Sequence, residues 1–261
     1  MLPTLDLQEL SVYVLFIETQ DTGPPLAIAF ALQEEVRPLL QDSKVLIEML
    51  RRPSILRHSE YRGIPLLFCR TGVGMNPAHE GIEFLLDHYQ PRLILSVGYA
   101  GGTDHALKTG DLLLASVILS ETATDHFAPN AQARDRLEQL IREEKVPYQK
   151  GPLATLWRVA TRDTKQEWGR RGTMAVDMET AAAAAVAIKN RIPFVSLRAI
   201  FDTVEEELPF PEPIEGEPRT GSFFIKNPKS ILKIPRYLRM SQICQKNLVQ
   251  VVSRFIHCWG R

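Results

Sequence analysis

Apolar residues fall into short, nearly unbroken runs along this chain, separated by stretches with helical polarity. Leu26-Ala27-Ile28-Ala29-Phe30-Ala31 is the first such run, and continuous apolarity over so few residues is what a strand buried on both faces requires. Gln33 to Leu40 then reads as a turn entering a helix. Ile64 to Cys69, Leu93 to Val97 and Asp111 to Leu119 read as further strands, and a helix is expected from near Asn76 to about His88. Ala131 to Glu144 has helical polarity. Val176 to Asn190 reads as a helix whose run from Ala181 to Ala185 lets it lie close against a sheet. Pro193 precedes a strand from Phe194 to Ile200 that ends at Asp202. Leu248, Val251, Val252, Phe255 and Ile256 recur at helical spacing, which predicts a terminal amphipathic helix.

Strands alternating with helices predict a three-layer α/β/α fold around a central mixed, mainly parallel sheet. In such folds ligands bind beyond the carboxyl ends of the strands. The 261 residues suffice for one large domain. It is read as residues 26–261, after an N-terminal extension, 1–25, that closes on Gly23-Pro24-Pro25. Residues 204–221, rich in Pro, Glu and Gly, are read as a loop or lid, and 222–261 as a basic C-terminal segment.

Charge changes this picture only at the end of the chain. Lys and Arg together number 31 and Asp and Glu 31, yet no acidic residue follows Glu217 while nine basic ones do. Such asymmetry suits an acidic partner, an anionic membrane face or a neighbouring subunit. Ile231, Leu232, Ile234, Leu238 and Met240 stand among those lysines and arginines, a mixture that lies on anionic lipid, although Pro228 and Pro235 argue against one continuous helix. Met1 to Leu10 has no basic flank and apolar block of a secretory signal, and no apolar stretch is long enough for a membrane span, so a soluble cytoplasmic protein is expected. Cys69, Cys244 and Cys258 are far apart and read as reduced thiols. No metal is expected, the adjacent pair Asp125-His126 reading as a polar loop. No nucleic acid partner is expected.

Candidate chemistry gathers at predicted strand ends. Thr71-Gly72-Val73-Gly74 can offer backbone N–H groups to an anion or to sugar oxygens, or be a plain tight turn. Gly98-Tyr99-Ala100-Gly101-Gly102 permits the same close approach. Glu34-Glu35 reads either as a solvated helix start or as chemistry just past the first strand. Glu179, in an apolar and alanine-rich setting, is costly to bury unless it is paired, and a glutamate can grip two vicinal hydroxyls of a ribose. Asp202 reads as a proton donor, or as a cap or ion-pair partner of Arg198.

Taken in order, these blocks resemble the nucleoside phosphorylase and nucleosidase superfamily, most closely the branch that includes methylthioadenosine/S-adenosylhomocysteine nucleosidase. The blocks are Ala31-Leu32-Gln33-Glu34-Glu35-Val36, Thr71 to Gly74, Gly98 to Gly102 with Leu107 to Asp111, and Val176-Asp177-Met178-Glu179 with Arg198 to Asp202. The resemblance implies cleavage of the N-glycosidic bond of a purine nucleoside, of adenosine type, without metal or organic cofactor. It implies that Glu179 binds ribose hydroxyls, Met178 packs on the sugar and Asp202 protonates N7 of the base. Glu35 would orient the attacking water, helped by Thr71 and Arg198. The backbone at Gly72, Gly74, Ala100 and Gly101, with Tyr99, would line the substrate site, and Val159 matches the position where nucleosidases stack a phenylalanine on adenine.

Ser96 and Tyr99 stand where hexameric phosphorylases hold phosphate with an arginine and a serine. That difference favours water as the nucleophile, with phosphate a co-substrate if the protein is a phosphorylase. The basic tail resembles the end of the hopanoid-associated members, which are linked to cleavage of adenine from a lipid-bound adenosyl group. A homo-oligomer is implied by analogy, and a catalytically silent nucleoside-binding protein stays open as an alternative.

Overall fold

The computed structural model describes residues 23–122, 126–206 and 234–259. The N-terminal extension up to residue 22, Asp125, most of the expected lid and the basic residues 222–233 lie outside the described residues. Strands β1 (Leu26–Phe30), β4 (Ile64–Arg70), β5 (Leu93–Gly102), β6 (Leu112–Ser120) and β10 (Phe194–Asp202) occupy the apolar runs. Helices α1 (Gln33–Gln41), α2 (Met75–His88), α3 (Ala131–Glu143) and α6 (Ile234–Trp259) lie where helical spacing places them.

Four further strands and one further helix carry no such pattern. They are β2 (Ser43–Arg51), β3 (Ser54–Tyr61), the two-residue β7 (His126–Phe127), β8 (Tyr148–Thr155) and α4 (Arg162–Arg170). Residues 176–190 are not one helix. Ala175–Asp177 forms β9, and helix α5 (Thr180–Lys189) starts only after Glu179, its N-cap residue with φ −128° and ψ −37°. The first three residues pair with both β5 and β8, and that pairing overrides the helix propensity of the segment. Pro235 is accommodated in the first turn of the 26-residue α6, where its missing N–H has no partner to lose, so one continuous helix forms.

The sheet is mixed. Nine of its ten strands follow the order β10-β6-β8-β9-β5-β1-β4-β3-β2, with β10 also paired to β5 and the tenth, β7, paired to β6. Parallel pairings of β1 with β4 and β5, and of β10 with β5, form the centre. Antiparallel ladders carry β2 and β3 on one side.

Alternating strand residues face opposite helical layers, as the pleat demands. Leu26, Ile28, Leu93, Leu95, Val195 and Leu197 join a core cluster with residues of α1, α3 and α6. Ala27, Ala29, Ile94, Phe194 and Ile200 join another with residues of α2 and α5. The architecture is therefore three layers, helices on both faces of a central sheet. It places the carboxyl ends of β1, β4, β5 and β10 side by side.

Candidate active site

Glu35 enters the site because α1 begins right after β1. Its carboxylate reaches back to accept the backbone N–H groups of Ala31 and Leu32 at 3.0 and 2.9 Å, as an acidic third residue does in a capping box. Its other oxygen accepts the N–H of Tyr99 at 3.1 Å. Only 3% of Glu35 is exposed. Burial pushes its pKa from 4.5 up to about 7, against the pull of those hydrogen bonds and of Arg198. Its neighbour Glu34 is exposed and pairs with Arg37, so the two adjacent glutamates have separate fates. Gly98 lies under the Glu35 carboxyl: a methyl group there would meet Oε1 at 2.8 Å.

Glu179 arrives from the turn between β9 and α5, and Gly74 donates its N–H to Oε1 at 2.9 Å. Gly74 adopts φ 108°, a conformation that L side chains rarely adopt, and this turn aims the donor. Met178 donates its N–H to Oε2 at 3.3 Å. Burial, then the negative charge of Asp177, push Glu179 up to about 8. Two carboxyls with raised proton affinity thus converge on one place. Glu35, Thr71, Ser96, Gly98, Glu179 and Arg198 are among the residues lining a cavity of about 10 Å³ there.

Arg198, 2% exposed, is the one cation lining that cavity among the described residues. Its Nε donates to Asp177 at 2.9 Å, and Nη2 donates to Ser96 at 2.9 Å and to Thr180 at 2.6 Å. Asp177 is itself held by Thr155 at 2.7 Å and by Thr180. A buried arginine so completely bonded cannot swing. Asp177 stands inside the quoted motif, yet its part as anchor of Arg198 was not legible there. Ser96 likewise is a hydrogen-bond acceptor for Arg198.

Asp202, 5% exposed, stands apart from the cavity and does not pair with Arg198. Between Ile200 and Asp202 the register with β5 slips, so that Ile200 faces Ala100 and Asp202 faces Gly101. Such a bulge re-aims the side chain that follows it. The carboxylate meets Lys165 of α4, whose Nζ lies 2.6 Å from Oδ2. Burial raises the Asp202 pKa and the lysine opposes the rise. Lys165 was missed from the sequence. It sits in a polar helix where only it and Trp168 are buried, and nothing in that pattern marks a lysine as the inward residue.

Thr71 is buried at the end of β4, bonded through its N–H to Phe30 at 2.9 Å, and Gly72 turns the chain with φ 91°. Tyr99 serves Glu35 through its backbone, while its ring stacks on Phe201 with centroids 5.1 Å apart and its hydroxyl bonds Ser241. Ala100 is buried on the side of α2 and α5, and Gly101 underlies Lys165 and Asp202. Val159 is half-buried in the loop from β8 to α4, the loop whose Thr161 caps α4. Among the described residues no group of His, Cys, Asp and Glu is arranged to hold a metal ion.

Comparison with known proteins agrees with this fold. A 5′-methylthioadenosine/S-adenosylhomocysteine nucleosidase of Bacillus velezensis is 29% identical over 204 residues, 70% of this chain and 87% of the relative. The solved structure of the corresponding enzyme of Neisseria meningitidis superposes with a TM-score of 0.69 at 17% identity, covering 88% of this chain and 98% of the other. Futalosine hydrolase of Helicobacter pylori superposes with a TM-score of 0.69 at 18% identity, with the same coverage. At such identity the two structures establish a shared fold. The model of the phosphorylase superfamily matches residues 25–226, which include every strand of the central sheet and each candidate site residue, and the chain therefore belongs to that superfamily.

Proposed function

We propose that the protein hydrolyses the N-glycosidic bond of an adenosine-type purine nucleoside, releasing free base and free sugar. The cavity beside Glu35 carries this reading. Its volume of about 10 Å³ suits a single water. Phosphate, which carries negative charge, is repelled there by an ionised Glu35. The curated relative named above is a nucleosidase, which supports the same choice.

The chemistry follows from the positions of the charges. Glu35, with a pKa of about 7, is poised to take a proton at neutral pH, as a general base requires. Water in the cavity attacks C1′ while the C–N bond breaks, and its proton passes to Glu35. The bonding pair leaves with the base, whose N7 takes the proton of Asp202. Glu179 grips the ribose hydroxyls and Met178 packs against the sugar. The transition state resembles an oxocarbenium ion, so negative charge near the sugar and acid at the leaving base both lower the barrier. No metal or organic cofactor enters any of these steps. The reading carries with it a cytoplasmic homo-oligomer and contact of the basic C-terminal segment with an anionic membrane surface. Light scattering and vesicle co-sedimentation test these two assignments.

Incubation with adenosine, methylthioadenosine, inosine and a lipid-linked adenosyl compound, with and without phosphate, tests the reaction itself. Free base with free sugar, at a rate indifferent to phosphate, is expected. Formation of a sugar 1-phosphate overturns hydrolysis, and binding without turnover by any substrate overturns catalysis.

A further inference from the structure

Lys165 has none of its surface exposed. A buried ammonium is costly unless all its protons are taken up. Here they are: Nζ donates to Asp202 Oδ2 at 2.6 Å, to the carbonyl of Thr203 at 2.6 Å and to the carbonyl of Glu206. The turn that supplies those carbonyls is closed by the Glu206 carboxylate, which accepts the N–H of Thr203 at 2.9 Å. Beneath the pair lies Gly101, where a methyl group would stand 3.2 Å from the lysine stem and 3.4 Å from Asp202. The lysine is thus locked by its own three acceptors and by the strand floor, and one carboxylate oxygen is locked with it.

We propose that Lys165 is the positioning residue of the acid. It holds Oδ2 of Asp202 so that Oδ1 is presented to the leaving base, and its charge sets the pH above which Asp202 has no proton to give. This rests on the reading of Asp202 as the acid, and it adds a residue that acts through it. A carboxyl sunk this deep keeps its proton to high pH, because burial penalises the anion. An ammonium at contact distance works the other way, by about 1–3 pH units for an opposite charge this near. Burial prevails, so the Asp202 pKa stays above its ordinary value, and the lysine limits the rise.

Among the described residues, the other groups around the pair leave this control to Lys165. Tyr237 and Cys244 of α6 feel the charge of Asp202, but burial raises both their pKa values, Cys244 to about 12, so they are neutral in the working range. The carboxylate of Glu206 is engaged by Thr203 and Arg236. Glu205 pairs with Arg162 and His105 at the surface. Arg198 is committed to Asp177.

Three variants separate charge from hydrogen bonding. K165M removes both, K165Q keeps a donor without charge, and K165R keeps both. Two readouts are taken on each variant that melts cooperatively: the pH profile of kcat/KM for base release, and the ¹³C titration of the Asp202 carboxyl, assigned by its loss in D202N. In wild type the alkaline limb of the profile and the carboxyl titration are expected to coincide. In K165Q and K165M both move to higher pH by about 1–3 units, and in K165R they stay near wild type. An unmoved titration in a folded K165Q or K165M, or a rate lowered by one factor at every pH, overturns the proposal and leaves only a structural lysine. Full turnover by D202N sinks the acid assignment instead. If the wild type shows no turnover, the carboxyl titration still decides what Lys165 does to Asp202.

Discussion

Replacing Glu35 by glutamine tests the electrostatics of the site through stability as well as rate. In the folded protein Glu35 has a pKa of about 7 against its ordinary 4.5. Between those values the native state keeps a proton that the unfolded chain has released. Its contribution is therefore fully present below pH 4.5 and is lost as the pH rises through about 7. A difference of this size corresponds to roughly 3 kcal/mol, or about 6–12 °C in melting temperature for a domain of this length.

Glutamine has the same shape and does not titrate. It retains one oxygen for the N–H groups of Ala31 and Leu32, but its amide then faces the N–H of Tyr99, a mismatch that costs about 1–3 kcal/mol. E35Q should thus be less stable than wild type at pH 5, and equal or better at pH 8. Urea denaturation of both proteins across that range, each at one protein concentration, gives the two curves. Glu179, with a pKa of about 8 that the charge of Glu35 helps to raise, slopes both curves in the same direction, and it titrates somewhat lower in E35Q. Curves that run parallel refute the assignment of a buried, proton-holding Glu35. Base release by E35Q should fall at least ~100-fold at pH 8, where the water loses its base, and by less at pH 5, where wild-type Glu35 already holds a proton.

Asp202→Asn should lower base release by about 10²–10⁴-fold while nucleoside still binds, as turnover and calorimetric titration together would register. Asp177→Asn breaks the buried pair with Arg198 and should cost about 3–5 kcal/mol in urea unfolding, a larger loss than surface pairs such as Glu34–Arg37 can produce. Gly98→Ala drives a methyl group against the Glu35 carboxyl, so activity should collapse with a stability loss of about 1–3 kcal/mol; a fully active variant would show that the carboxyl need not sit there. Glu179→Gln should raise KM for nucleosides that carry both ribose hydroxyls and leave that of a 2′-deoxy analogue less changed.

The sequence by itself determined the central strands, because β1, β4, β5, β6 and β10 are buried on both faces and their apolarity is continuous. It also determined the last helix, whose apolar stripe must face a core. It did not show β2 and β3. Val45, Leu46 and Leu50 of β2 are exposed, so no alternation marks the strand, and the backbone ladder to β3 holds it in place. Nor did it show that Glu179 stands just before a helix, since the pairing of β9 with strands far away in sequence ended the helical pattern early.

At the site, residue types and their order marked Glu35, Glu179 and Asp202 as chemistry, and nothing in that order said which charge each would meet. The partners were decided by the tertiary structure: Asp177 against Arg198 through the register of β9 and β10, and Lys165 against Asp202 through a bulge and a capped polar helix. Burial along one element is written in its own periodicity. Contact between charges on different elements depends on register, bulges and loop geometry, which only the folded chain fixes.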